Sequence, residues 1–305
     1  MHHFVVKRLL RGIATVWFVL TAVFVASRVA GDPVTFLLPD NATPDQRAEL
    51  RQRLGLDRSV VEQYALYLRG VVTGDFGDSF RERRPVTQAF VERLPATLQL
   101  AAASLALAVV LGVGAGILAA LNRNGPLDRF IMSLTFIGQA LPNFVLGIAM
   151  ILVFSLLLRW LPSGGYGDWR SFIMPVITLG TSSASSIARL TRSGMLDVLK
   201  QDYVRTARAK GLVGAAIVLR HALRNAALPV VTLLGMQAGV LIAGSVIVET
   251  VFAWPGVGRL IVTAVTFGDF PVLQFAIVIV SASVVLANSL TDALYSVLDP
   301  RVRVA

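Results

Sequence analysis

Three histidines, His2, His3 and His221, are the whole imidazole complement of the chain, and it contains no cysteine. An H-E-x-x-H helix or a Cys/His cluster needs several such ligands converging at fixed spacing, so no metal site is expected. Without cysteine there are no disulfides, thiolate nucleophiles or iron–sulfur clusters. The three lysines, Lys7, Lys200 and Lys210, follow Val6, Leu199 and Ala209. A Gly-Lys-Ser/Thr phosphate loop is therefore missing, and any nucleotide chemistry must be carried by another chain. The chain is expected not to be an enzyme and to bind no cofactor itself.

What these residues are set in explains the shortage. The 305 residues are 55% hydrophobic and only 15% charged, against about 25% charged in soluble domains. The formal net charge of +10 could suggest nucleic acid, but the apolar content and the placement of the charges point to a membrane and to no nucleic-acid partner. A charge at the bilayer centre costs about 2.5 to 3.5 kcal/mol on insertion scales, so uncharged runs mark candidate spans. Six stand out: Gly12 to Ser27, Leu94 to Asn122, Phe130 to Leu158, Ser171 to Ala188, Asn225 to Val248 and Phe270 to Thr291. About 20 apolar residues cross a bilayer as helix. The first run reaches that length if Arg11 and Arg28 snorkel, while the fourth is short. Lys7, Arg8 and Arg11 precede the first run as in a signal peptide, but no A-x-A cleavage site follows closely, so it is read as an uncleaved first helix.

Six crossings put both ends on one side. The N-terminus, the second loop, the fourth loop and the tail hold fifteen basic residues, against Arg159, Arg170 and Arg259 in the two short opposite loops. The positive-inside rule then makes both termini cytoplasmic. The expected fold is an all-α integral membrane protein with residues 1–30 as cytoplasmic N-terminus and first helix. Residues 31–93 form an outer helical segment, and 94–305 a five-helix core with a cytoplasmic loop at 189–224. In the outer segment Thr43 should cap a helix that starts at Pro44 and stops at Gly55. Ser59 and Glu62 have capping-box spacing for a second helix, whose stripe Val61, Tyr64, Leu68 and Val71 packs on the outer ends of the spans or lies in the interface.

The fourth loop, Arg189 to Arg224, carries eight basic residues against Asp197 and Asp202. A helix is expected from Met195 to Ala209, with Leu196, Leu199 and Tyr203 on one face and Gly211 as the stop, then a short helix at Ile217 to Leu219. The loop either anchors on anionic lipid or docks in a partner's groove, for which the small Ala207 and Ala209 are suited. Its sequence resembles a known one: D-Y-V-R-T-A-R-A-K-G, Asp202 to Gly211, followed by R-H-A-L-R-N-A-A-L-P ending at Pro229, is similar to the cytoplasmic loop of ABC-importer permeases of the dipeptide and oligopeptide family. The family's E-A-A-x-x-x-G pattern falls on Arg205, Thr206, Ala207 and Gly211, of which Ala207 and Gly211 match. Supporting resemblances are G-D-F-G-D-S (Gly74 to Ser79), Pro85–Val86, R-L-P-A-T-L (Arg93 to Leu98) and V-E-T-V-F-A-W-P-G-V-G (Val248 to Gly258).

The resemblance implies a permease subunit in the bacterial inner membrane, paired with a second homologous permease. It would receive peptide from an extracytoplasmic substrate-binding protein and be driven by two cytoplasmic ATPase subunits that hold ATP and Mg. Tyr203, Arg205, Thr206, Ala207, Lys210 and Gly211 would form the loop that couples to those ATPases. Nickel chelates and glutathione are alternative cargoes in that family. A different class, an ion-gradient transporter, normally needs ionisable residues deep in its spans, and Glu249 and Asp292 lie only at run boundaries.

Pathway and gate candidates are Pro142, Ser182, Ser183, Ser186, Glu249, Phe252, Pro255 and Gly256. Pro142 and Pro175 interrupt the third and fourth runs, either lining a pathway or merely curving the helices. Thr181, Ser182, Ser183, Ser185 and Ser186 either line a polar path or bond to their own helix. Glu249 with Phe252, Trp254, Pro255 and Gly256 reads as an outer gate or receptor-docking surface, or as an interfacial aromatic belt. Gly112 and Gly116, and Gly235, Gly239 and Ala243, are strips where helix backbones approach closely.

Overall fold

The computed structural model describes the backbone of residues 2–29, 31–39, 41–212, 214 and 217–298. The side chains of 2–11, 208, 219–221, 224, 227–228, 232, 236, 238–240, 242–243 and 286–298 lie outside the described residues, so the expectations on His221, Gly239, Ala243 and Asp292 do too. The order is α1 (His2–Val29), α2 (Pro33–Leu37), α3 (Pro44–Arg53), α4 (Val60–Thr73), α5 (Val86–Leu121), α6 (Pro126–Ala140), α7 (Asn143–Met150) with a π-helical continuation Ile151–Leu157, α8 (Trp169–Val198), α9 (Asp202–Ala209), a π-helical segment Ile217–Ala222, α10 (Leu223–Val251), α11 (Val257–Thr266) and α12 (Phe270–Leu298). Among the described residues the only β pairing is an isolated bridge between Asp78 and Pro85. Five of the six uncharged runs lie on single helices, α1, α5 (apart from Asn122), α8, α10 and α12, and the third is divided between α6 and α7 with its continuation. By length and composition α1, α5 and α8 can cross a bilayer, and the bent pair formed by α6 and α7 with its continuation makes a fourth candidate.

The chain divides into two compact units, Met1–Ala96 with Pro255–Leu286, and Thr97–Trp254 with Ala287–Ala305. In the first, local chemistry sets the short helices. Thr43 Oγ1 accepts from Gln46 N at 3.3 Å while the Gln46 side chain accepts from Thr43 N at 3.0 Å, with Pro44 in the first turn. Gly55 follows at φ +64°, a left-handed position that favours glycine. Ser59 and Glu62 cap α4 in the same reciprocal way. Tyr64 and Tyr67 of α4 pack on Phe24 of α1, with ring centroids 5.1 and 5.7 Å away. Val61, first residue of the expected stripe, stands outside this contact and is 77% exposed. Tyr67 completes the buried side because it stands three residues after Tyr64, on the same helical face.

The G-D-F-G-D-S stretch is fixed by a residue 190 positions away. Asp269, buried between α11 and α12, accepts from Ser79 Oγ at 2.5 Å, Phe80 N at 3.1 Å and Arg81 N at 3.3 Å. Phe76 and Phe90 meet Phe275 edge-on at 4.5 and 5.2 Å beside Val257, Leu260 and Val272. Between them Glu82 accepts from Arg84 Nε at 2.7 Å and Arg93 Nη2 at 2.5 Å. Burial alone would push this carboxyl up, but the two guanidinium groups together hold it below the ordinary glutamate range. A depressed folded pKa stabilises above the unfolded value and loses that contribution as pH falls through the folded one. Glu82→Gln should therefore flatten the acid limb of a melting-temperature profile, and an unchanged limb would remove Glu82 from it.

In the second unit a stripe of small residues brings α5 and α8 together. A Cβ on Gly112 would stand 2.8 Å from Ala184 O and Ile187 Cβ, and one on Gly116 2.6 Å from Ala188 O and Thr191 Cβ. Ser104, Ala108 and Ala120 extend the stripe at intervals of four and are buried. A Cβ on Gly180 of α8 would stand 3.0 Å from Ser104 O. Residue numbers rise together along the contact, so α5 and α8 run parallel. Against α10 they run oppositely: Gly194 meets Ala226, Ser183 meets Gln237, and Gly244 meets Leu179.

The third run is not one straight span. The axes of α6 and α7 with its continuation differ by 104°. Leu141, forced out of the helical region by the following proline, is extended at φ −76° and ψ 121°, and Pro142 becomes the N-cap of α7 rather than a kink inside a helix. Pro175, in contrast, sits inside a continuous 30-residue α8, and Pro229 inside α10. The fourth run, shortest of the last five, thus lies on a helix long enough to span.

Candidate coupling site and substrate pathway

The basic loop departs from the expected single helix over Met195–Ala209. α8 ends at Val198, Gln201 N turns back to Val198 O at 3.0 Å, and α9 starts at Asp202. Asp disfavours a helix interior, but its carboxylate suits the positive end of a new one. Val204 and Ala207 are then buried against Val198, Leu199 and Ile217. Ala207 is thus turned into the chain's own packing rather than outward, because it lies three residues from Val204 on the inner face. The free face carries Tyr203, Arg205, Thr206, Ala209 and Lys210. The Tyr203 hydroxyl accepts from the Asn225 amide at 2.8 Å, tying α9 to the start of α10. Gly211, at φ +82°, ends the helix in the left-handed conformation. The short segment after it is the π-helical Ile217–Ala222.

One contact in this region had no local signature. Arg192 of α8 forks onto Asp128 of α6, Nε to Oδ1 at 2.6 Å and Nη2 to Oδ2 at 2.7 Å, and Asp128 also accepts from Asn124 N at 2.8 Å. Asp128 is 2% exposed. Arg192 is only half-buried, so stripping the buried Asp128 of this partner should cost somewhat less than the ~3–5 kcal/mol of a fully buried pair, whereas replacing both with apolar residues is often neutral. Arg192→Ala should therefore sharply lower the melting temperature in detergent, and Asp128→Leu with Arg192→Leu should recover most of it. Equal losses in both would show that the pair is not what matters. In the sequence Arg192 is one of eight loop cations, and nothing joins it to Asp128, 64 positions away.

The hydroxyl cluster is largely spent on its own helix. Thr181 donates to Ile177 O at 2.6 Å, Ser185 to Thr181 O at 2.9 Å and Ser186 to Ser182 O at 3.2 Å, while Ser183 reaches Gln237 at 3.3 Å. Thr181 and Ser185 also face Gly138 of α6, where a Cβ would approach them to 2.9 and 2.7 Å. Ser182 and Ser186 are half-buried.

Around the end of α10 the aromatic belt does not form. Phe252 and Trp254 are fully buried. Trp254 takes Phe172 and Tyr166 edge-on at 4.4 and 4.9 Å, and Phe252 O accepts from Gly165 N at 3.0 Å. Gly164 passes so close to the Phe252 carbonyl that no Cβ fits there. Ala253 bridges the two aromatics at φ +51°. Glu249, also fully buried, accepts from Thr97 Oγ1 at 2.7 Å. Pro255 and Gly256 lead the chain onward into α11, with Gly256 as its N-cap in extended backbone. Gly235 lies half-buried on α10.

These helices have relatives. Residues 112–304 match the family described as binding-protein-dependent transport system inner membrane component, and residues 1–101 match its N-terminal family. The chain belongs to this family. It is the permease component of an ABC importer, an inner-membrane subunit with an all-α fold. The glutathione transport system permease protein GsiC of Escherichia coli strain K12 is 43% identical over 304 residues, 99% of each chain. The same-named protein of Shigella boydii serotype 4 is 42% identical over the same share. Among solved structures, the inward-facing MetNI methionine ABC transporter aligns with a TM-score of 0.59 at 21% identity, covering 70% of this chain and 97% of that one. An amino acid ABC transporter with histidines aligns at 0.52 and 19% identity, covering 70% and 94%. At such identities these two structures show the fold alone.

Proposed function

We propose that this permease forms half of the transmembrane pathway of an importer for glutathione and short peptides. The observation that carries the cargo class is the 43% identity to GsiC across 99% of both chains. In this reading the six uncharged runs cross the membrane, with the α6–α7 bend inside the third crossing, and both termini are cytoplasmic. The parallel packing of α5 and α8 supports it, since a single return crossing must separate two helices that run the same way. A second homologous permease completes the pathway, and an extracytoplasmic binding protein delivers the cargo.

ATP and Mg are held by two cytoplasmic ATPase subunits that seat on the outward face of α9. Tyr203, Arg205, Thr206 and Lys210 meet the ATPase, while Val204 and Ala207 bind α9 to its own chain, so the helix moves as a lever on α8 and α10. Selectivity is tested by co-expressing the full set of subunits in a host without its own glutathione importer. Uptake of labelled glutathione, reduced by unlabelled short peptides, is expected. Uptake of neither would overturn the cargo assignment while leaving the permease role intact.

A further inference from the structure

α4 has a second edge that the fold does not use. Val61 and Val72 are eleven residues apart, three helical turns, and so share one edge of the helix. They are 77% and 87% exposed, and Val60 and Leu66 are 62% and 44% exposed. The helix carries only two charges, Glu62 and Arg69. Its fourteen residues span about 21 Å, too short to cross a bilayer.

Its depth follows from what its other face touches. The Tyr64 hydroxyl lies 2.7 Å from Thr21 Oγ1, and Tyr64 and Tyr67 rest on Phe24. Thr21 is in the middle of the apolar stretch Gly12–Val29 of α1, about 12 Å along the helix from Val29 at 1.5 Å per residue. A helix whose tyrosine reaches that far down a membrane span cannot stand in the water above it. Beside this contact α1 exposes Phe18, Val25 and Val29, the apolar surface a span shows to lipid. The valine edge of α4 continues that surface.

We propose that α4 lies in the membrane leaflet around the Val29 end of α1, with Val61 and Val72 against acyl chains and Arg69 turned to the headgroups. Such a helix sits about 5–10 Å into the headgroup and acyl boundary. It would brace α1 sideways and make this part of the permease sensitive to lipid packing.

The chain has no cysteine, so single labelling sites are available without background. Spin labels are placed through Val61→Cys, Val72→Cys, Arg69→Cys and, on the exposed polar helix α3, Gln52→Cys. The permease is reconstituted with its ATPase partners in phosphatidylethanolamine and phosphatidylglycerol vesicles. Collision with oxygen is expected to exceed collision with a water-soluble nickel chelate several-fold at positions 61 and 72, with the order reversed at 69 and 52. Nickel access at 61 and 72 equal to that at 52 would overturn the proposal. So would shielding of 61 and 72 from both reagents, because a protein surface would then cover the edge. The label at 52 supplies, in each preparation, the collision ratio of a fully aqueous site on the neighbouring outer segment, against which positions 61 and 72 are read.

Discussion

Gly116→Leu is expected to leave almost no folded permease extractable in mild detergent. The added side chain would begin 2.6 Å from Ala188 O and Thr191 Cβ, and a helix carbonyl cannot step aside without moving the whole of α8. Overpacking a well-filled core costs about 1–3 kcal/mol where side chains can adapt. Here the obstacle is backbone, so the cost should be at the top of that range or above it, within a total stability of about 5–15 kcal/mol. Gly112→Leu meets Ala184 O and Ile187 in the same way and should behave alike. Gly114 lies between them with nothing within 4 Å of a Cβ. Gly114→Ala should melt at or above the parent temperature, because alanine gains about 0.5–1 kcal/mol over glycine in a helix. The folded yield of the three variants, with thermal unfolding of whatever is extracted, separates a contact strip from a general intolerance of change in α5. A Gly116→Leu protein that melts like its parent would mean the two helices do not pack as described.

Val204→Asp is expected to uncouple transport from ATP hydrolysis while leaving the outward face of α9 in place. Val204 is fully buried beside Ala207 and Ile217, and an unpaired carboxylate there costs several kcal/mol. The cheapest relief is for α9 to swing away from Leu199 and Ile217. A lever detached from α8 and α10 can still occupy an ATPase groove but cannot move the helices. Since 1.4 kcal/mol is a factor of ten in an equilibrium, uptake per ATP hydrolysed should fall more than ten-fold. Arg205→Glu, on the exposed face, should instead weaken co-purification of the ATPases. If Val204→Asp keeps the parent ratio of uptake to hydrolysis, the rigid attachment of α9 is not part of the coupling.

Features set by residues within one helical turn were legible in the sequence. Thr43 and Ser59 cap because their partners stand three positions on, and Gly211 ends α9 because no other residue adopts its backbone so cheaply. The uncharged runs were legible for a different reason, the uniform cost of charge in lipid. Features that depend on distant partners were not. Asp269 holds Ser79 across 190 positions and Arg192 holds Asp128 across 64. Phe252 and Trp254 resemble interfacial aromatics until Tyr166, Phe172 and Gly165 are brought over them. At Pro142 the sequence signals a break, but the size of the bend belongs to the packing around it. In the basic loop Asp202 carried an unused local signal, since an acid after Lys200 and Gln201 suits a new helix start better than a continuing helix.

The chain is expected to be moved by separate ATPases rather than by an ion gradient. Vesicles holding the permease with its partner permease, ATPases and binding protein test this directly, with labelled glutathione added outside and ATP or an imposed proton or sodium gradient as the energy source. Uptake that requires ATP, stops with a non-hydrolysable analogue and ignores both gradients is the predicted result. Gradient-driven uptake in vesicles containing this chain without any ATPase would contradict it.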